Sequence, residues 1–91
     1  MTIFQGFKRK SGTFINTSNE SISYDNTIIY ITSDEDSSVV GSYAEQFKVK
    51  TSDLTNVFGT NDLKQFINKE IEIKYSISNM KVSVIKVYLV E

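Results

Sequence analysis

Apolar and polar residues alternate with a period of two over most of the chain, which predicts strands with one covered and one open side. The first strand is expected over Thr2–Lys10, with Ser11-Gly12 as a turn and Thr13–Asn16 continuing it. On that register Ile3, Gln5, Phe7 and Arg9 share one face, and Phe4, Gly6, Lys8 and Lys10 share the other. Gly6 inside the strand predicts a sharp bend or bulge. The polar run 16–20 predicts a hairpin turn into a second strand, Ile22–Thr32. There Ile28 and Tyr30 face one way and Ile29 and Ile31 the other, as in a central strand covered on both sides. After an acidic loop, Ser33–Ser38, a third strand is expected over Val39–Lys50, with a break allowed at Gly41-Ser42. From Tyr43 it alternates cleanly: Tyr43, Glu45, Phe47 and Val49 against Ala44, Gln46, Lys48 and Lys50.

Between residues 52 and 68 the period changes. Ser52 and Thr60 read as helix N-caps, the first opening Asp53–Phe58, closed by Gly59. The second opens Asn61–Asn68, with Leu63, Phe66 and Ile67 as one helical stripe. Alternation then returns: Ile71, Ile73, Tyr75 and Ile77, a Ser78-Asn79 turn, and Met80, Val82 and Val84. Beyond Val84 the apolar register moves to Ile85, Val87 and Leu89, which predicts a bulge near Val84-Ile85. Strand-strand-strand-helix-strand-strand, over residues 1–91 as a single domain, predicts a mainly β fold. The expectation is a five-stranded OB-fold-like barrel, with one short helix between strands 3 and 4 plugging an open end. Such a fold hosts many activities, so function has to be argued from residues.

Composition narrows the chemistry. Forty per cent hydrophobic and 12% aromatic residues in 91 are enough for one folded core. With no cysteine there is no disulfide or thiolate metal site, and with no histidine the commonest acid–base group and metal ligand are gone. Phosphate-binding glycine loops are absent. The densest carboxylates, Asp34–Asp36, lie in a solvated loop; their spacing resembles the start of a calcium loop, but the glycine and closing glutamate are missing. No enzymatic activity, cofactor, metal or small-molecule substrate is expected. Met1–Phe7 runs directly into Lys8-Arg9-Lys10 without a signal-peptide pattern, and no apolar run approaches the roughly 20 residues of a membrane span. A cytoplasmic domain without membrane contact is expected. Nine lysines to one arginine, and many isoleucines and asparagines, follow A/T-rich codons, as in a low-GC bacterium or its phages and plasmids.

A net charge of −1 argues against nucleic-acid binding, but the charges are segregated. Residues 1–16 carry Lys8, Arg9 and Lys10 and no acid; residues 17–45 carry only acids; lysines again exceed acids from residue 46. Screening over about 8 Å lets such patches act independently, although solvated loop charges give the same pattern. Aromatic residues stand beside the cations: Phe7 next to Lys8–Lys10, Phe14 beyond the turn, and Tyr43 and Phe47 along the strand bearing Lys48 and Lys50. Single-stranded nucleic acid requires this pairing, cations for phosphates and rings to stack unpaired bases. Phenylalanines in a small β domain are mostly core, which competes for Phe4, Phe7, Phe47, Phe58 and Phe66. Tyr24, Tyr30 and Tyr43 are better candidates because a phenol tolerates water, while Tyr75 lies in the core register. Lys8, Arg9 and Lys10 can equally protect a strand edge.

With these residues in view, the chain resembles the small helix-destabilising proteins of filamentous phages, the gene V type, and related single-strand binders of phages and conjugative plasmids. The resemblance rests on length, a basic first hairpin around Phe7–Gly12, Tyr24 and Tyr30 in the second strand, and a short final hairpin. The slightly acidic charge and single arginine depart from it. It implies a homodimer that coats single-stranded DNA cooperatively and without strong sequence preference during replication or transfer of a mobile element. The expected contact residues are Phe7, Lys8, Arg9, Lys10, Phe14, Tyr24, Tyr30, Tyr43, Lys48 and Lys50. The competing expectation is a β-barrel protein-interaction module, a phage accessory or inhibitory protein, whose aromatics and acidic loop meet another protein.

Overall fold

A computed structural model describes residues 1–90. The strands are β1 (Thr2–Ile15), β2 (Ser21–Ser33), β3 (Tyr43–Lys50), β4 (Glu70–Ser78) and β5 (Lys81–Leu89). Between β3 and β4 lie a 3-10 turn (Thr51–Asp53), the short helix α1 (Leu54–Phe58) and a second 3-10 turn (Leu63–Phe66). All strands pair antiparallel in one five-stranded sheet of order β3-β2-β1-β4-β5. The fold is mainly β, as the alternation predicts.

The expected barrel is not closed: among the described residues β3 and β5 are the two ends of the sheet and do not pair. β4 leaves β1 after only Thr2↔Ile71 and Ile3↔Glu70. From there the link between the second 3-10 turn and β4 takes over, with the Phe4 amide donating to the Lys69 carbonyl (3.0 Å) and the Asn68 amide to that of Phe4 (2.8 Å). The two hairpins therefore splay, giving extents of 46 × 30 × 22 Å and a radius of gyration of 15.1 Å, where about 12 Å suits a compact domain of this length. The cleft between them is lined by Glu35, Glu45, Glu70 and Glu72.

β1 runs unbroken through Ser11-Gly12, so no turn forms there; Ser11 pairs with Asp25 and Gly12 with Tyr24. The bulge predicted at Gly6 is present, with the register slipping between Phe4 and Gly6 so that Gln5 is the extra residue. That slip turns Phe4 onto the same side as Phe7, their ring centroids 6.3 Å apart. The core-side face of β1 is thus Phe4, Phe7 and Arg9, a regrouping that strict alternation misses. At the first hairpin tip the Asn16 side-chain oxygen accepts from the Ser18 and Glu20 amides, 2.9 and 3.0 Å.

The core lies between the sheet and the helical segment. Phe4 is fully buried and its ring meets Phe58 edge-on at 6.0 Å and Phe66 at 5.8 Å, with Leu63, Ile29 and Ile71 around them. Gly59 closes α1 in the left-handed region (φ 77°), its amide donating to the Thr55 carbonyl, as its position predicts. The caps differ from expectation. Ser52 falls inside the first 3-10 turn and caps nothing; Asp62, rather than Thr60, caps the second turn by accepting from the Lys64 amide, while Thr60 accepts from that of Asp62. Ile67 ends that turn exposed, so only Leu63 and Phe66 enter the core. In the last hairpin the partner of β4 jumps from Lys86 to Val84, leaving Ile85 as the predicted bulge residue. The turn sits one residue later than expected: Ser78 pairs with Lys81, and Asn79 and Met80 take the positive φ values of a two-residue hairpin loop.

Candidate nucleic-acid interface

Directly opposed residues in an antiparallel ladder point to the same side of the sheet, so the register decides which cations and rings can meet. Lys8 stands opposite Ile28 and Ile28 opposite Lys48; Lys10 opposite Asn26 and Asn26 opposite Lys50. One row before them come Gly6, Tyr30 and Gln46, and after them Gly12 with Tyr24, then Phe14 with Ile22. All these positions share the side of the sheet facing away from the core. No acidic residue stands among them.

The result is a track. Lysines from β1 and β3 form two columns about 10 Å apart, two strand spacings, on either side of a β2 column carrying Tyr30, Ile28, Asn26 and Tyr24. Successive rows are about 7 Å apart, so Tyr30 and Tyr24 bracket roughly 20 Å of it. Tyr30 is 37% and Phe14 51% exposed, open enough to meet a base. Phe14 and Tyr24 lie 6.2 Å apart between ring centroids, tilted by 43°. Together with Lys10, Asn26, Ile28 and Lys48 they line a shallow depression of about 360 Å³.

Of the residues expected to contact nucleic acid, Lys8, Lys10, Phe14, Tyr24, Tyr30, Lys48 and Lys50 come together here. Phe7, Arg9 and Tyr43 lie on the opposite side. Phe7 packs against Phe4. Arg9 is held by Asp25 through both branches, Nε to Oδ1 at 2.9 Å and a terminal nitrogen to Oδ2 at 2.5 Å, a fork that is then not free for phosphate. The Arg9 guanidinium, helped by the Thr51 hydroxyl at 2.7 Å, holds the Asp25 carboxyl below its ordinary range. Tyr43 lies in the cleft with Tyr75 and the four glutamates. Partial burial, and then Glu45 and Glu35, push the Tyr75 phenol above its ordinary value. Tyr75 is 54% exposed, so the core position its alternation suggested is not the one it takes. The acidic loop is tied back to the chain start: the Met1 amino group pairs with Asp34, and the Thr2 hydroxyl donates to Glu35 at 2.5 Å.

Gly12, Asn26, Ile28 and Gln46 belong to the track although nothing singled them out in the sequence. Reading Ser11-Gly12 as a turn hid the first of them; a strand carried through Gly12 would have put Gly12 and Phe14 in line with Lys8 and Lys10. Comparison of the chain with protein-family models, with curated proteins and with solved structures finds no match. Among the described residues no cluster of His, Cys, Asp or Glu is placed to hold a metal ion, and no helix is long and apolar enough to cross a membrane.

Proposed function

We propose that this chain is a non-enzymatic single-stranded DNA-binding domain of the OB type, and that the outer side of β1, β2 and β3 is its binding surface. The observation that carries the reading is the acid-free track of Lys8, Lys10, Lys48 and Lys50 around Tyr24, Tyr30 and Phe14. Cations on both sides and rings at both ends suit an extended strand whose phosphates follow the lysines while its bases stack. A strand lying along β2 spans about 4 nucleotides, the lower end of the range for such domains. Supporting the OB assignment, the order β3-β2-β1-β4-β5 is that of a five-stranded barrel opened between its third and fifth strands. Titration with oligo-dT at 50 and 200 mM salt tests the reading: affinity should fall steeply with salt. Absence of binding at low salt, or binding indifferent to salt, contradicts it.

A second surface favours a protein contact. Beyond the core the β4–β5 hairpin exposes Tyr75, Ile77, Met80 and Val82, with Lys81 the one charge near its tip. On the proposed reading this patch takes a second copy of the chain, because the apolar side bearing Tyr75, Ile77 and Val82, which Lys81 does not share, can meet itself across a two-fold axis. Sedimentation should then show a dimer that Ile77→Lys with Val82→Lys converts to a monomer. A parent that sediments as a monomer removes the homodimer and leaves the patch to another protein, the module reading.

A further inference from the structure

Gly12 is an oddity in β1. Glycine weakens a strand interior, because it has the most backbone freedom to lose and no side chain to pack. Its usual grounds there are a positive φ, a bulge or a close approach. Gly12 has no positive φ, and the ladder runs in register through it. The close approach remains. A Cβ at this position would lie 2.8 Å from the Tyr24 Oη, 3.1 Å from Cζ and 3.3 Å from Cε1. The outer end of the Tyr24 ring therefore occupies the space that any other residue would fill, and Phe14, two residues on, flanks it.

We infer that Gly12 is a positioning residue: by leaving room for the Tyr24 ring to lie across β1, it builds with Phe14 a preformed seat for one unpaired nucleobase at the hairpin end of the track. This rests on the single-strand reading above and deepens it. Asn26 lines the same depression and carries a side-chain donor and acceptor suited to a base edge, and Lys10 and Lys48 line it as well, suited to the adjoining phosphates. A base held in a duplex cannot present its face to such a seat, so the ring position also discriminates against paired strands. A preformed seat avoids ordering the ring at the moment of binding.

The colliding atom is the tip of a side chain that can swing away, so Gly12→Ala should leave the fold intact by circular dichroism and no less stable. It should weaken oligo-dT binding about fivefold or more, the loss of part of one stacking contact, with no change in salt slope. Tyr24→Ala should weaken binding at least as much, and Gly12→Ala added to Tyr24→Ala should cost nothing further. Undiminished affinity in Gly12→Ala, or a full second loss in the double variant, overturns the inference while leaving the single-strand reading in place. Failure of the parent to bind oligo-dT overturns both. Should Gly12→Ala misfold, photocrosslinking of the parent to 5-iodouracil-substituted oligo-dT decides instead: adducts on Tyr24 or Phe14 are expected, and adducts confined to other residues contradict the seat.

Discussion

The outer side of β1–β2–β3 and the cleft between β3 and β4 share strands and carry opposite charge. On β3, Lys48 and Lys50 point outward while Glu45 and Tyr43 turn toward the cleft. On β1, Lys8 and Lys10 join the lysine track while Arg9, between them in sequence, crosses to the other side and is neutralised by Asp25. A net charge of −1 conceals this arrangement, because the pleat sorts neighbours by parity. The lesson is that charge clusters along a strand must be split by register before they are read as patches. Lys8-Arg9-Lys10 is two track cations and one ion-paired residue.

The largest effect is expected from deleting the track cations. Replacing Lys8, Lys10, Lys48 and Lys50 together with alanine should all but abolish oligo-dT binding at 150 mM salt. The slope of log K against log salt should fall by about 0.7 for each lysine lost. Arg9→Ala should leave that slope unchanged, and an equal drop would place Arg9 in the interface.

A smaller effect is expected at the rings. Tyr30→Ala, remote from the Gly12 end, should cost about 1–3 kcal/mol in oligo-dT affinity without touching the slope. Phe7→Ala should instead appear in the denaturation midpoint, because that ring packs on Phe4.

On the acidic side, Glu35→Gln with Glu45→Gln should change oligo-dT affinity by less than twofold, since the cleft lies behind the track. The same pair of changes should lower the pH at which Tyr75 ionises in an absorbance titration, though only partly, because burial is the larger cause of its shift. A large affinity change would mean that the cleft belongs to the binding surface.

The smallest effect concerns acid stability. The Asp25 carboxyl is held below its ordinary range in the folded chain, so the folded state binds its proton less readily than the unfolded one. Its contribution is therefore complete above the ordinary carboxylate range, near pH 4, and is lost as pH falls through the folded value. Arg9→Ala should flatten this part of the acid limb in urea denaturation followed from pH 6 downward. An acid limb unaltered by Arg9→Ala would show that the exposed pair contributes nothing.

Much of the fold was legible because alternation is a local property. The bulges at Gly6 and Ile85 and the glycine that ends α1 follow from residues within a few positions of one another; the cover expected on both sides of β2 does not occur, because Ile29 and Ile31 are buried while Tyr30 on the other side is exposed. What was not legible depends on partners distant in sequence. Alternation places Tyr75 on the apolar side of β4 but cannot tell that the hairpin extends past the core and leaves it half exposed. Barrel closure depends on whether two edges meet, and the glutamates that line the gap come from the loop after β2, from β3 and from β4. Tyr43 shows the same limit: its alternation is clear, but the side it faces is the acidic cleft, opposite the lysine track.

The most direct test of the account is an amide chemical-shift map of the isotope-labelled chain titrated with oligo-dT. Shifts should concentrate on Lys8, Lys10, Tyr24, Asn26, Tyr30 and Lys48, with Glu45, Glu72 and Tyr75 unmoved. Perturbations centred on the cleft, or scattered without regard to strand parity, would contradict it.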